Sequence, residues 1–139
     1  MKTFLTITHR LRRFTALLVT FTLLHGGLSA FAATVSWTGA GGDGFWSNPL
    51  NWNGNVLPVA EDDVVINVPG NATVRLDTGG TWVRSLQCQE SFILETGPLT
   101  VTEGASFING IFSMGVSQIL TVDGATATFT VNGAATRPC

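Results

Sequence analysis

The 139-residue chain contains no tyrosine, and its single lysine and both histidines lie within the first 25 residues. Beyond residue 32 it therefore lacks the most frequent general base, the most frequent metal ligand and an amine nucleophile. Positive charge is scarce there too: Arg75, Arg84 and Arg137 face all nine acids, a formal charge of −6. That surface repels phosphate backbones and anionic headgroups, which argues against nucleic-acid partners and against membrane insertion of this part of the chain. Charged residues are only 12% of the sequence, and abundant Thr, Val, Gly and Ala exclude a disordered chain of low hydrophobicity and high charge. Only two cysteines are present, Cys88 within a strand-like run and Cys139 at the last position, so a disulfide between them is an open possibility in an oxidising compartment. Nothing in this composition calls for a cofactor.

What is present begins with a targeting signal. Lys2, Arg10, Arg12 and Arg13 precede any acid, an apolar run FTALLVTFTLL spans residues 14–24, and Ala30-Phe31-Ala32 closes the segment. A positive start, a short apolar stretch and an A-x-A site are the three parts of a cleavable signal peptide. The apolar run is too short for a bilayer span, which takes roughly 20 residues. The residues around Arg12-Arg13 fit the twin-arginine pattern poorly, so the general secretion route is expected. The division that follows is residues 1–32 as signal peptide, 33–63 as a Trp-, Gly- and Asn-rich N-terminal cap, and 64–139 as repeating β-structure, in a protein that is secreted or displayed at the cell surface.

Past residue 63 the apolar residues recur at a spacing of two: Val64 and Ile66, Val74 and Leu76, Phe92 and Leu94, Leu99 and Val101, Leu120 and Val122, Phe129 and Val131. Alternation of this kind places one set of side chains on each face of a strand, and short strands cut by Gly, Asn, Asp and Pro predict an all-β fold. An echoed motif chooses among all-β folds. LTVTEGAS starts at Leu99, LTVDGAT at Leu120 and FTVNGAA at Phe129, at offsets of 21 and 9 residues. Nine residues fit one strand with its turn, and 21 fit one turn of a coil. The expected fold is a right-handed parallel β-helix, a β-solenoid; a β-sandwich is the alternative, which explains the alternation but not the echo.

The segment ahead of the rungs holds Trp37, Trp46 and Trp52 and reads as two or three short irregular strands that close the exposed first edge of the coil. Trp37-Thr38-Gly39, Gly42-Asp43-Gly44, Trp46-Ser47-Asn48, Asn51-Trp52, Leu57-Pro58 and Asp62-Asp63-Val64-Val65-Ile66 together resemble the N-terminal region of large secreted bacterial β-helix surface proteins of the autotransporter-passenger and haemagglutinin-like type. The resemblance covers roughly residues 35–68. It implies a β-helix and an extracytoplasmic location and, from the size and location of such proteins, an adhesive role toward glycans or a host or neighbouring cell surface. The repeat continues almost to Cys139 without a translocator or anchor, so the chain is expected to be the first part of a longer one with further rungs.

Candidate chemistry is sparse, and each candidate has a plain alternative. Trp46, Trp52 and Trp82 can stack on sugar rings, or they can close the hydrophobic column; Trp82 follows Gly79-Gly80 at a corner and is the most exposed of them on this reading. Asp62 and Asp63, or Asp43 with Asn48 and Asn51, offer oxygen ligands for calcium. Neighbouring strand residues point apart, however, and an Asp at a turn often bonds its own backbone. Arg75 and Asp77 share an outward face, with Arg84 on the next rung, as a polysaccharide lyase would need; the alternative is a surface ion pair worth about 0–1 kcal/mol. Glu90, Glu95 and Glu103 are spread over successive turns, not paired at the roughly 5–9.5 Å of a glycosidase, and read as solubilising charge. The function expected is non-catalytic, structural and adhesive. A carbohydrate-active enzyme on the same scaffold and a carbohydrate-binding module are the alternatives. Mass spectrometry of the exported product should find a new N-terminus at Ala33; a full-length cytoplasmic product would refute the assignment of the leader.

Overall fold

The computed structural model describes residues 32–136; the signal-peptide assignment and Cys139 lie outside them. The chain coils as a parallel β-solenoid. After β1 (Thr34–Ser36), the first full rung contains β2 (Asp63–Ile66), β3 (Thr73–Leu76) and β4 (Thr81–Val83). β5 (Ser85–Cys88), β6 (Ser91–Leu94) and β7 (Leu99–Val101) form the second. β8 (Ala105–Ile108), β9 (Phe112–Met114) and β10 (Leu120–Val122) form the third, and β11 (Thr128–Val131) and β12 (Ala135–Thr136) begin a fourth. Stacked rungs give three sheets, ordered β1-β2-β5-β8-β11, β3-β6-β9-β12 and β4-β7-β10, with every strand pair parallel. Leu99 pairs with Leu120, so the 21-residue echo is one turn of the coil. The 9-residue echo carries the chain from β10 on the third sheet to β11 on the first.

Alternation along each strand builds the core. Val64, Ile66, Val74, Leu76, Leu86, Cys88, Phe92, Leu94, Leu99, Val101 and Ile108 are fully buried. They stack in columns because parallel register places like positions over one another: Ile66 on Cys88 on Ile108 on Val131, and Val74 on Phe92 on Phe112. One polar residue facing inward is Ser106, buried beneath Leu86. There the β5–β8 ladder holds only Gln87 with Phe107 and Cys88 with Ile108, and the Ser106 hydroxyl accepts the Leu86 N–H (2.9 Å). A side chain thus satisfies a peptide group that a shortened ladder leaves over.

Aromatic rings link the two ends of the core. Trp37 meets Trp52 edge-on at 4.9 Å between ring centres, Trp52 meets Trp46 at 4.6 Å, and Trp46 meets Phe92 at 6.0 Å. Phe92 lies 6.5 Å from Phe112, which lies 6.0 Å from Phe129. The separations and the edge-on angles in the cap are those that aromatic quadrupoles favour.

The cap is less strand-like than its sequence suggests. β1 pairs with β2, but residues 49–55 form two short 3-10 turns, Pro49–Asn51 and Asn53–Asn55. Pro49 fits the start of a helical turn, where no N–H is needed, and the Asn48 side chain accepts the Leu50 N–H (3.0 Å). Asn51, completely buried, donates to Asp43 Oδ1 (2.7 Å) and the Phe45 carbonyl (2.9 Å) and accepts the Gly41 N–H (2.9 Å). The Trp52 indole N–H donates to the Trp46 carbonyl (2.8 Å), while the side chains of Asn48 and Asn51 both bond Asp43.

Outside the core, corners are tied along the stack. Asn109 donates to Gln89 (2.6 Å) and Asn132 to Asn109 (2.6 Å), an amide ladder at the turn after the first sheet. At the residue following each of these two asparagines a side chain is excluded: a Cβ on Gly110 would overlap the Glu90 carbonyl, and one on Gly133 the Gly110 carbonyl.

The cap supplies the clearest test of what holds the coil together. Trp52 is 1% exposed between the rings of Trp37 and Trp46, so Trp52→Ala should cost about 3–5 kcal/mol. Val116→Ala, at a position 72% exposed, should stay within about 0.5 kcal/mol. Urea melts followed by circular dichroism compare the two; equal midpoints would mean that the cap does not support the rungs.

Candidate functional site

Of the tryptophans singled out in the sequence, Trp46 and Trp52 are 2% and 1% exposed and belong to the aromatic chain, whereas Trp82 is 50% exposed. Alternation accounts for this: Thr81 and Val83 face inward on β4 and Trp82 faces outward. Trp82 stands above Thr100 in the parallel register.

Trp82 borders a groove of about 360 Å³ whose lining includes Leu57, Val59 and Ala60 of the cap together with Trp46, Thr78 and Thr81. The groove exists because one strand position is incompletely filled. The cap extends the first sheet through β1 and the second through Gly44–Trp46, where the Arg75 N–H donates to the Gly44 carbonyl and the Trp46 N–H to the Arg75 carbonyl, both at 2.9 Å. Continued back from the Asp63–Ser85 pair, the register would set residues 59–61 opposite 81–83, yet β4 is the edge of its sheet. Pro58 has no N–H to offer, and Val59 is turned back on itself, its N–H on Asp62 Oδ2 (2.9 Å) and its carbonyl accepting the Asp62 N–H (3.0 Å). The gap shuts again at Arg84, whose N–H donates to the Asp62 carbonyl (2.9 Å).

A second depression of about 410 Å³ follows the amide ladder and includes Asn71, Glu90, Ser91 and Asn109. Glu90, expected on the surface, is only 7% exposed. Its Oε2 accepts the Ala72 N–H (2.9 Å), a peptide donor just ahead of β3.

Other carboxylates hold internal partners as well. Arg75 does not pair with Asp77 as their shared face suggested. It grips Glu95 with two bonds of 2.6 and 2.9 Å, because parallel register brings the next rung beside it. Asp77 instead accepts the Ser47 N–H (2.9 Å) and hydroxyl (2.6 Å), fastening the cap to the second sheet. Asp63 binds Arg84 and the Ser85 hydroxyl, and Glu103 approaches Arg84 at 3.7 Å. The candidate calcium ligands are thus dispersed: Asp62 bonds its own turn, Asp63 an arginine, and Asp43 the Phe45 N–H (3.0 Å) and two amides. Among the described residues no three acidic, histidine or cysteine side chains converge.

The Cys88 thiol is sealed in the core and donates to the Glu90 carbonyl (3.2 Å). Burial pushes its pKa up to about 12, so it is a packing residue and not a nucleophile. One residue of the groove escaped the sequence reading, Thr81, which extending the Leu99 and Leu120 alignment back one rung would have found. In comparisons with known proteins, no family model, no curated protein and no solved structure matches this chain.

Two carboxylates, the exposed Asp43 and the half-buried Glu95, give the fold a pH dependence. The Phe45 N–H, then the amides of Asn48 and Asn51, hold Asp43 below its ordinary value of 3.8. The hydrogen bond and charge of Arg75 hold Glu95 below its ordinary 4.5. Both titrate lower in the fold than in an open chain, so their contribution is present above those ordinary values and disappears as pH falls through the lowered ones. The urea midpoint should hold near neutrality and drop below about pH 4. An Asp43→Asn, Glu95→Gln double variant should start lower and fall less steeply; an equally steep fall would place the acid sensitivity elsewhere.

Proposed function

We propose that this chain is part of an exported, non-catalytic surface protein whose solenoid serves as a structural and adhesive element. The observation that carries the reading is the use made of polar side chains. Seven of the nine acids, Asp43, Asp62, Asp63, Asp77, Glu90, Glu95 and Glu103, have a partner within the fold. A lyase or glycosidase would leave carboxylates converging on open space. Here they join turns to strands and rungs to one another, as do the amide ladder and the Ser113–Thr136 hydroxyl pair (2.6 Å).

Such an arrangement suits a stiff rod that displays an outer surface. The leader read at residues 1–32 and the resemblance of residues 35–68 to autotransporter-passenger and haemagglutinin-like proteins support an extracytoplasmic place for it. Beads coated with the purified chain should adhere to cell or matrix surfaces, and beads coated with the urea-unfolded chain should not. The same preparation should leave pectin, alginate and glucan intact with or without calcium. Reproducible cleavage abolished by Glu95→Gln or Asp77→Asn would overturn the reading in favour of an enzyme.

A further inference from the structure

We propose that the groove beside Trp82 binds an uncharged hexopyranose unit of a glycan, with its apolar face against the Trp82 indole. The proposal rests on the adhesive reading above and names the site and the ligand class.

Four observations point to this ligand. The half-exposed indole borders a groove of about 360 Å³, the scale of a small-molecule site. Its lining contains no charged side chain, which matches an uncharged ligand and disfavours uronates and sialic acids. One end is closed by the Arg84–Asp62 backbone bond, so a compact ring fits where an extended peptide strand would be stopped.

The fourth observation is a hydroxyl held only by one long hydrogen bond. The inward column of the third sheet reads Thr81, Leu99, Leu120, with a threonine where the lower rungs carry leucine. Thr81 is 8% exposed, and its hydroxyl has the Thr78 hydroxyl at 3.5 Å, beyond the usual O–H···O range. Buried hydroxyls are normally well paired; a sugar hydroxyl in the groove supplies a closer partner. The Trp82 peptide offers a further donor and acceptor. The Thr81 N–H donates to the Pro98 carbonyl and the Val83 carbonyl accepts the Thr102 N–H, so both flanking residues turn toward β7. Trp82, between them, turns its N–H and C=O to the open edge.

The test uses the exported chain on an array of oligosaccharides ending in glucose, galactose or mannose, beside uronate-rich and sialylated ones, with calorimetric titration of the hits. Binding should be confined to uncharged termini. Trp82→Ala should weaken it about tenfold or more with little change in the urea midpoint. Thr81→Val should weaken binding while the fold keeps or gains stability. Trp82→Phe should retain part of the affinity, and Val59→Glu, a charge at an exposed position of the wall, should abolish it. No uncharged hit, acidic hits alone, or a hit that survives both Trp82→Ala and Thr81→Val would overturn the site. If coated beads still adhere after Trp82→Ala, the adhesive reading stands and this site fails; if the parent beads do not adhere, that reading fails by itself.

Discussion

Every strand of this protein depends on a partner one turn of the coil away. The register runs from 18 residues, as between Thr81 and Leu99, to 29, as between Thr34 and Asp63. No hairpin shortens any of these contacts, so each pairing bears a loop-closure cost of similar size, and the reward comes only when a rung stacks on one already formed. The order of assembly is thereby constrained, because a rung without a template has unpaired edges and a half-exposed core. The cap provides the template from local interactions. Asn51 and Asp43 tie a short loop together, the 3-10 turns need only neighbouring residues, and three indoles meet within residues 37–52.

The fold was legible where the physics is periodic. Alternation identified the inward residues of β2, β3, β6 and β7 but not Leu86, Cys88, Ile108 or Phe112, and the echo of Leu-Thr-Val identified the pitch, because a parallel stack repeats its environment and its sequence follows. Legibility failed where the determining contact is between rungs. Arg75 and Asp77 share a face, yet Arg75 reaches diagonally past its register partner Ile93 to Glu95 on the next rung. Glu90 looks like any surface glutamate until the Ala72 N–H is seen beside it. The cap was recognisable as a segment, but its 3-10 turns were not, since three-residue elements leave no periodicity. Of the groove, the exposure of Trp82 could be anticipated from its corner; its far wall could not, because it depends on how Leu57–Ala60 fails to become a strand.

That failure is compatible with a stable solenoid because it is local. The chain around it is anchored on both sides: Leu57 and Val68 pack against the core, and Asp63 begins a fully paired strand. Pro58 and the turn at Asp62 prevent a regular strand over β4 and so limit one route by which a bare edge invites pairing with other chains. A device that limits aggregation and a recess that admits a small ring are then the same few residues.

The placement of the four tryptophans has an optical consequence. Trp37, Trp46 and Trp52 lie edge-on at 4.6–4.9 Å, near enough for their excited states to couple and to give the rigid cap a strong near-ultraviolet dichroic signature. Trp82 stands apart from that array with half its surface in water. Its emission is therefore open to collisional quenchers while that of the cap is shielded. The molecule carries two spectrally separable reporters, one of cap integrity and one of the environment at the edge of its third sheet, without any label.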